Sequence, residues 1–159
     1  AGFIGSPSMN LLDSELVQAD GTTTVAVGSQ RVTLDPAVFE QRPALKGYIG
    51  KPVVVGIRPE DIDDAALSPD IPDDRHIKVT VELVESLGSE VLVHFAVDAT
   101  AAVTGDPDAL DEVTTAGTTM CIAKLEPRTR IRLGDDATLA VNTQRLHFFD
   151  VDTGDAIWG

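Results

Sequence analysis

A chain of 159 residues, 43% of them hydrophobic, can bury a core, and its length allows one domain or two small intertwined barrels. A formal charge of -14 and an aromatic content of only 4% argue against nucleic acid as a partner, since phosphates are repelled and stacking platforms are scarce. No apolar run nears the roughly 18 to 20 residues of a membrane span, and the start AGFIGSPSMN lacks the basic end and long apolar stretch of a signal peptide. The expected location is therefore the cytoplasm.

Short apolar runs punctuated by Gly, Pro and Asp predict strands for most of the chain. Thr23 to Val27 and Gln30 to Leu34 flank Gly28-Ser29, a two-residue hairpin turn that sets Val25 opposite Val32. Asp35-Pro36 then offers an aspartate cap and a first-turn proline to a short helix in AVFEQRPAL, stopped near Pro43. The continuous apolar run Val53 to Ile57 predicts a strand buried on both faces.

Between His76 and Val97 the alternation is clearest. Ile77, Val79, Val81 and Leu83 alternate with polar residues, and Val91, Val93, Phe95 and Val97 do so after the turn Ser86-Leu87-Gly88-Ser89. This predicts a long hairpin with one wet face. Asp98 to about Gly117 reads as an excursion with at most a short helix near Pro107 to Glu112. Strands are expected at Met120 to Leu125, Thr129 to Leu133, Ala137 to Asn142 and Leu146 to Phe149, with Gly134-Asp135-Asp136 as a turn. The fold class is all-β, a barrel or sandwich of short antiparallel strands with one or two short helices.

Catalytic patterns are missing from this frame. His76, His94 and His147 lack metal-ligand spacing, and the first two fall on the polar face of their strands, as exposed histidines. No GxSxG, GxxxxGK[ST] or GxGxxG occurs, so neither a serine nucleophile nor a nucleotide-phosphate loop is encoded. The acidic clusters at Asp61, Asp63, Asp64 and at Asp73-Asp74 lack the calcium-loop spacing and read as solvated charge. Cys121 lies in the apolar run MCIA and is expected to be a buried, inert thiol. Arg128, Arg130 and Arg132 would share one face of a strand and neutralise nearby acids. No catalytic, cofactor or metal residue is assigned.

Four separated segments carry a family resemblance. They are Gly2-Phe3-Ile4-Gly5-Ser6-Pro7 with Met9-Asn10, Val55-Gly56-Ile57-Arg58-Pro59-Glu60-Asp61, Val84-Glu85-Ser86-Leu87-Gly88-Ser89-Glu90, and Leu146-His147-Phe148-Phe149-Asp150 with Thr153-Gly154. In this order they resemble the regulatory TOBE/OB-type region that follows the nucleotide-binding domain in ATPase subunits of ABC sugar importers, of the maltose, multiple-sugar, trehalose and glycerol-phosphate type. The resemblance implies OB-type or MOP-like barrels, with residues 1–10 as a junction from an ATPase domain and 11–159 as the regulatory part. It implies a non-catalytic role in a piece of a longer protein, whose ATP and Mg would belong to the full-length subunit. Implied partners are a second copy of the ATPase subunit, the permease subunits and a regulatory protein, at the inner face of the cell membrane. The alternative is a barrel that senses an oxyanion or sugar phosphate, for which Gly88, Ser89 and Lys124 are candidates.

The motif residues also have physical roles of their own. Gly56 in a buried strand predicts close backbone approach, while Arg58 and Glu60 have the parity to share an ion-paired corner ended by Pro59. Gly88 punctuates the long hairpin, and Asp150 to Gly154 predicts an aspartate-capped turn. Glu85 and Phe149 complete the set of motif residues expected to keep the fold or form an interface.

Overall fold

The structure, a computed structural model, describes residues 9–98, 114–115 and 118–157. The excursion expected at 98–117, its short helix, and Gly5, Ser6 and Pro7 of the first motif lie wholly or mostly outside the described residues. The described chain is mainly antiparallel strands in two sheets.

The first sheet starts with β1 (Asn10–Ala19), β2 (Thr22–Val27) and β3 (Gln30–Thr33). Val25 pairs with Val32 as the hairpin turn requires, and Gly28 at the turn has φ +65°. The strand β1 has no counterpart in the predicted elements. Its fully buried residues, Leu12 and Leu16, are four apart, a helical spacing that hides the period of 2. Ser14 sits between them half-buried, its hydroxyl donating to the Ala26 carbonyl at 2.6 Å.

A short helix α1 (Ala37–Gln41) follows. Asp35 accepts the Ala37 N–H at 2.9 Å, so the aspartate does start the helix. The helix ends just before Pro43, as expected, and a 3-10 turn, Pro43–Tyr48, follows. β4 (Pro52–Ile57) then pairs with β1, and its burial on both faces matches its unbroken apolar run. The order of the first sheet is completed by β11 (His147–Phe149), which pairs with the other edge of β4.

The second sheet is built from β5 (Ile62–Asp64), β6 (His76–Ser86), β7 (Val91–Val97), β8 (Thr114–Thr115), β9 (Thr118–Leu125) and β10 (Asp136–Val141), in the order β5-β10-β6-β7-β9-β8. The strand β6 serves two neighbours, pairing with β10 over its first half and with β7 over its second. Where it changes partner, a β-bulge falls between Val81 and Leu83. The bulge inserts one residue and reverses the alternation beyond it. Leu83, expected inside with Ile77, Val79 and Val81, is therefore 47% exposed, and Val84 packs on the core instead.

A second correction concerns Thr129 to Leu133. No strand forms there. Thr129 N–H bonds the Glu126 carbonyl in a turn, its hydroxyl donates to Asp64 Oδ2 at 2.7 Å, and the Arg132 N–H is taken by the Asp135 carboxylate. With these backbone groups bound locally, no ladder forms. Arg128, Arg130 and Arg132 consequently stand on an irregular exposed segment, not on a strand face, and Leu133 is exposed.

Both sheets contribute to one core, in which Leu12, Val25 and Phe148 join Ile77, Phe95 and Leu139. Two amide side chains bind the sheets where no backbone ladder does. Asn10 Nδ2 donates to the carbonyls of Ile57 and Ile122, both at 2.9 Å, while its Oδ1 accepts the Ile122 N–H. Gln30 donates to the Lys78 carbonyl and accepts its N–H, both at 2.7 Å, filling the place of a neighbouring strand beside β6.

Candidate functional site

The described motif residues fall into four places. Met9, Asn10, Gly56 and Phe149 meet where β1, β4 and β11 lie side by side. A Cβ placed on Gly56 would run into Met9 Sδ and lie 3.1 Å from Phe149 Cε2. The close backbone approach expected at Gly56 is not found: the neighbours that fill its Cβ space are side chains packed over the strand. These four residues hold the fold, and Asn10 does so at the seam of the two sheets.

Just past β4 lies a charged corner. Pro59 and Asp61 are buried, Arg58 is half-buried and Glu60 is exposed. Among the described residues no ion pair joins Arg58 to Glu60. The ion pair of the corner links Arg145 Nε to Asp61 Oδ1 at 3.0 Å, because the 3-10 turn Pro59–Asp61 breaks the strand parity that would bring Arg58 and Glu60 together. Asp61 Oδ2 is buried without a hydrogen-bond partner among the described residues. Burial, partly offset by Arg145, raises the Asp61 carboxyl above its usual range. His147 stands nearby, half-buried, and its imidazole is held below its usual pKa by burial and then by Arg58, Arg42 and Arg145. Sequence reading missed this gathering of His147 with three arginines, since it depends on β11 returning to β4.

The third place is the outer face of the long hairpin. Glu85 Oε1 lies 2.7 Å from His94 Nε2, so His94 is a partnered, half-buried side chain and not the exposed one expected. His76 is likewise half-buried, its Nε2 3.2 Å from the Ile71 carbonyl. Gly88 holds the turn with φ +84°. Lys124, a candidate for anion binding, is paired with Glu90 at 2.9 Å, and that pairing raises its pKa.

At the end of β11, Asp150 Oδ1 accepts the N–H groups of Asp152 and Thr153, and Gly154 follows with φ +75°. This is the aspartate-capped turn expected there. Tyr48 donates to Asp150 Oδ2 at 2.7 Å, which helps hold the Asp150 carboxyl below its usual range. Cys121 is buried and burial pushes its thiol up to about 12, as an inert core residue requires.

Among the described residues no group of His, Cys, Asp and Glu is placed to hold a metal, and no helix is long and apolar enough to cross a membrane.

Comparison with known proteins agrees with this geometry. The MalK OB fold domain matches residues 5–62 and the TOBE domain residues 55–110. The trehalose/maltose import ATP-binding protein MalK of Thermococcus litoralis is 36% identical over 99% of this chain. The oligosaccharides import ATP-binding protein MsmX of Bacillus subtilis is 34% identical over 96%, and the trehalose import ATP-binding protein SugC of Mycobacterium tuberculosis 34% over 97%. The chain spans 37%, 35% and 39% of the lengths of these three relatives. In fold it is similar to the cytoplasmic molybdate-binding protein ModG, with a TM-score of 0.52 at 12% identity, covering 91% of this chain and 98% of that one. With two adjoining domain matches, and relatives matched along nearly its whole length, the chain is an OB-fold and TOBE region of the kind carried by ABC sugar-importer ATP-binding proteins.

Proposed function

We propose that this chain is the non-catalytic regulatory and dimerisation region of the ATP-binding subunit of an ABC-type carbohydrate importer. The observation that carries the reading is the match to sugar-import ATP-binding proteins along 96% or more of the chain, in a sequence without a GxxxxGK[ST] loop. ATP and Mg act in the full-length subunit, on residues outside this region. Its partners are a second copy of the subunit, the permease subunits reached through the ATPase domain, and a regulatory protein. It works in the cytoplasm at the inner face of the membrane.

The reading is supported by described motif residues that pack, Gly56 beneath Met9 and Asn10 between the sheets. Sedimentation over a concentration series is expected to show reversible self-association. A strict monomer at the highest concentrations removes dimerisation through this region. Protein-dependent ATP turnover by the 159-residue chain would overturn the non-catalytic assignment.

A further inference from the structure

The groove between the β1–β3 sheet end and α1 has a chemistry that packing does not explain. It is a cleft of about 540 Å³, within the roughly 300 to 1,000 Å³ typical of small-molecule sites. Phe39 and Ile49 give it apolar lining, and Thr22 and Thr33 are among its polar lining residues. Two cations, Lys46 and Arg75, line the same cleft in a chain of net charge -14.

The two cations are held differently. Arg75 is held by two carboxylates, its Nη1 3.4 Å from Asp35 Oδ2 and its buried Nε 3.9 Å from Asp74 Oδ1. Asp35 is itself anchored by Gln144 at 3.0 Å, so the arginine is preorganised on the cleft wall. Lys46 is exposed and, among the described residues, makes no ion pair within 4.0 Å. It is a point charge on a flexible stem, suited to reach an anion. Glu40, also in the lining, can only accept hydrogen bonds when ionised. A bare oxyanion would be repelled by it, whereas a ligand with hydroxyls can donate to it.

From these groups we infer that the cleft binds a phosphorylated sugar, with the phosphate on Lys46 and Arg75, the hydroxyls on Thr22, Thr33 and Glu40, and the C–H face of the ring on Phe39 and Ile49. The site is separate from Gly88, Ser89 and Lys124, the residues suggested by sequence for an anion. Given the proposed role in an importer, such a ligand reports the product of a kinase that acts on the imported sugar. That regulatory meaning rests on the proposed function, but binding itself does not and is tested without transport.

The test is titration of the 159-residue chain with glucose 6-phosphate, glucose and inorganic phosphate at physiological ionic strength, followed by calorimetry and amide chemical shifts. Glucose 6-phosphate is expected to saturate below millimolar concentration and to shift the amides of Thr22 and Thr33, with glucose and phosphate each about tenfold weaker or more. Lys46→Ala is expected to weaken binding about tenfold and, being an exposed substitution, to leave folding intact. Lys51→Ala, which removes an exposed charge outside the lining, is expected to change nothing. The inference is overturned by failure of glucose 6-phosphate to saturate. It is equally overturned by phosphate alone binding as tightly, or by the two lysine variants behaving alike.

Discussion

Met9 and Gly56 show how much a single absent side chain can organise. The space where a Gly56 Cβ would stand is occupied by the Met9 thioether, with the Phe149 ring and Leu11 closing around it. Gly56→Ala is expected to cost about 1–3 kcal/mol, the range for an overpacked core. Met9→Ala in the same chain should recover part of that loss, because the two residues compete for one volume. Urea denaturation of the two single variants and the double variant measures the coupling, and strict additivity would contradict the packing described. His147 makes the second case at this scale. Its pKa is lowered in the folded chain by burial and by three arginines, so the unfolded chain binds more protons near and below the ordinary histidine value of about 6.5. Its contribution to stability is therefore full above that pH and is lost as pH falls through the folded value. Stability followed by urea midpoints should decline on acidification from about pH 6.5, and His147→Asn should make the decline shallower. That something packs closely on Gly56 could be read from a glycine in an apolar strand, but not that side chains do so, and the surroundings of His147 come from Arg42, Arg58 and Arg145, three separate segments of chain.

At the scale of elements, alternation was a sound guide wherever both faces of a strand had contrasting surroundings. It located β2, β3, β7, β9 and β10 and the register of Val25 on Val32. It failed at β1, where polar residues at Asp13, Ser14 and Glu15 left only Leu12 and Leu16 deeply buried. It failed in the opposite sense at Thr129 to Leu133, where alternation was overruled by local hydrogen bonds from the Thr129 N–H to Glu126 and from the Arg132 N–H to Asp135. The bulge in β6 is a third case, since the inserted residue answers to the change of partner from β10 to β7 and leaves no local signal. It makes a sharp prediction about neighbouring apolar residues. Leu83→Thr should stay within about 0.5 kcal/mol of the parent chain, as for other surface changes. Val81→Ala, at 1% exposure, should cost about 2 kcal/mol through the cavity it leaves. Thermal or urea unfolding of both variants distinguishes this register from simple alternation, which would make both costly.

For the whole molecule, the net charge of -14 is the dominant field. Self-repulsion among so many carboxylates opposes the compact state, and salt screens it over about 8–10 Å at physiological strength. The unfolding midpoint is expected to rise as sodium chloride is added from low ionic strength, and a fall would show that the paired charges, such as Asp61 with Arg145, outweigh the repulsion. The same excess of acid makes the two cations of the α1 cleft stand out. The topology carries a different consequence. The sheet opened by Asn10 in β1 is completed only when β11 docks against β4, placing His147 opposite Gly56. On the ribosome, β4 must wait with one edge bare while all of the second sheet is translated. A chain released early, before Phe149, would expose that edge as a template for its neighbours. Premature termination would thus be met by aggregation or proteolysis, not by a smaller working barrel.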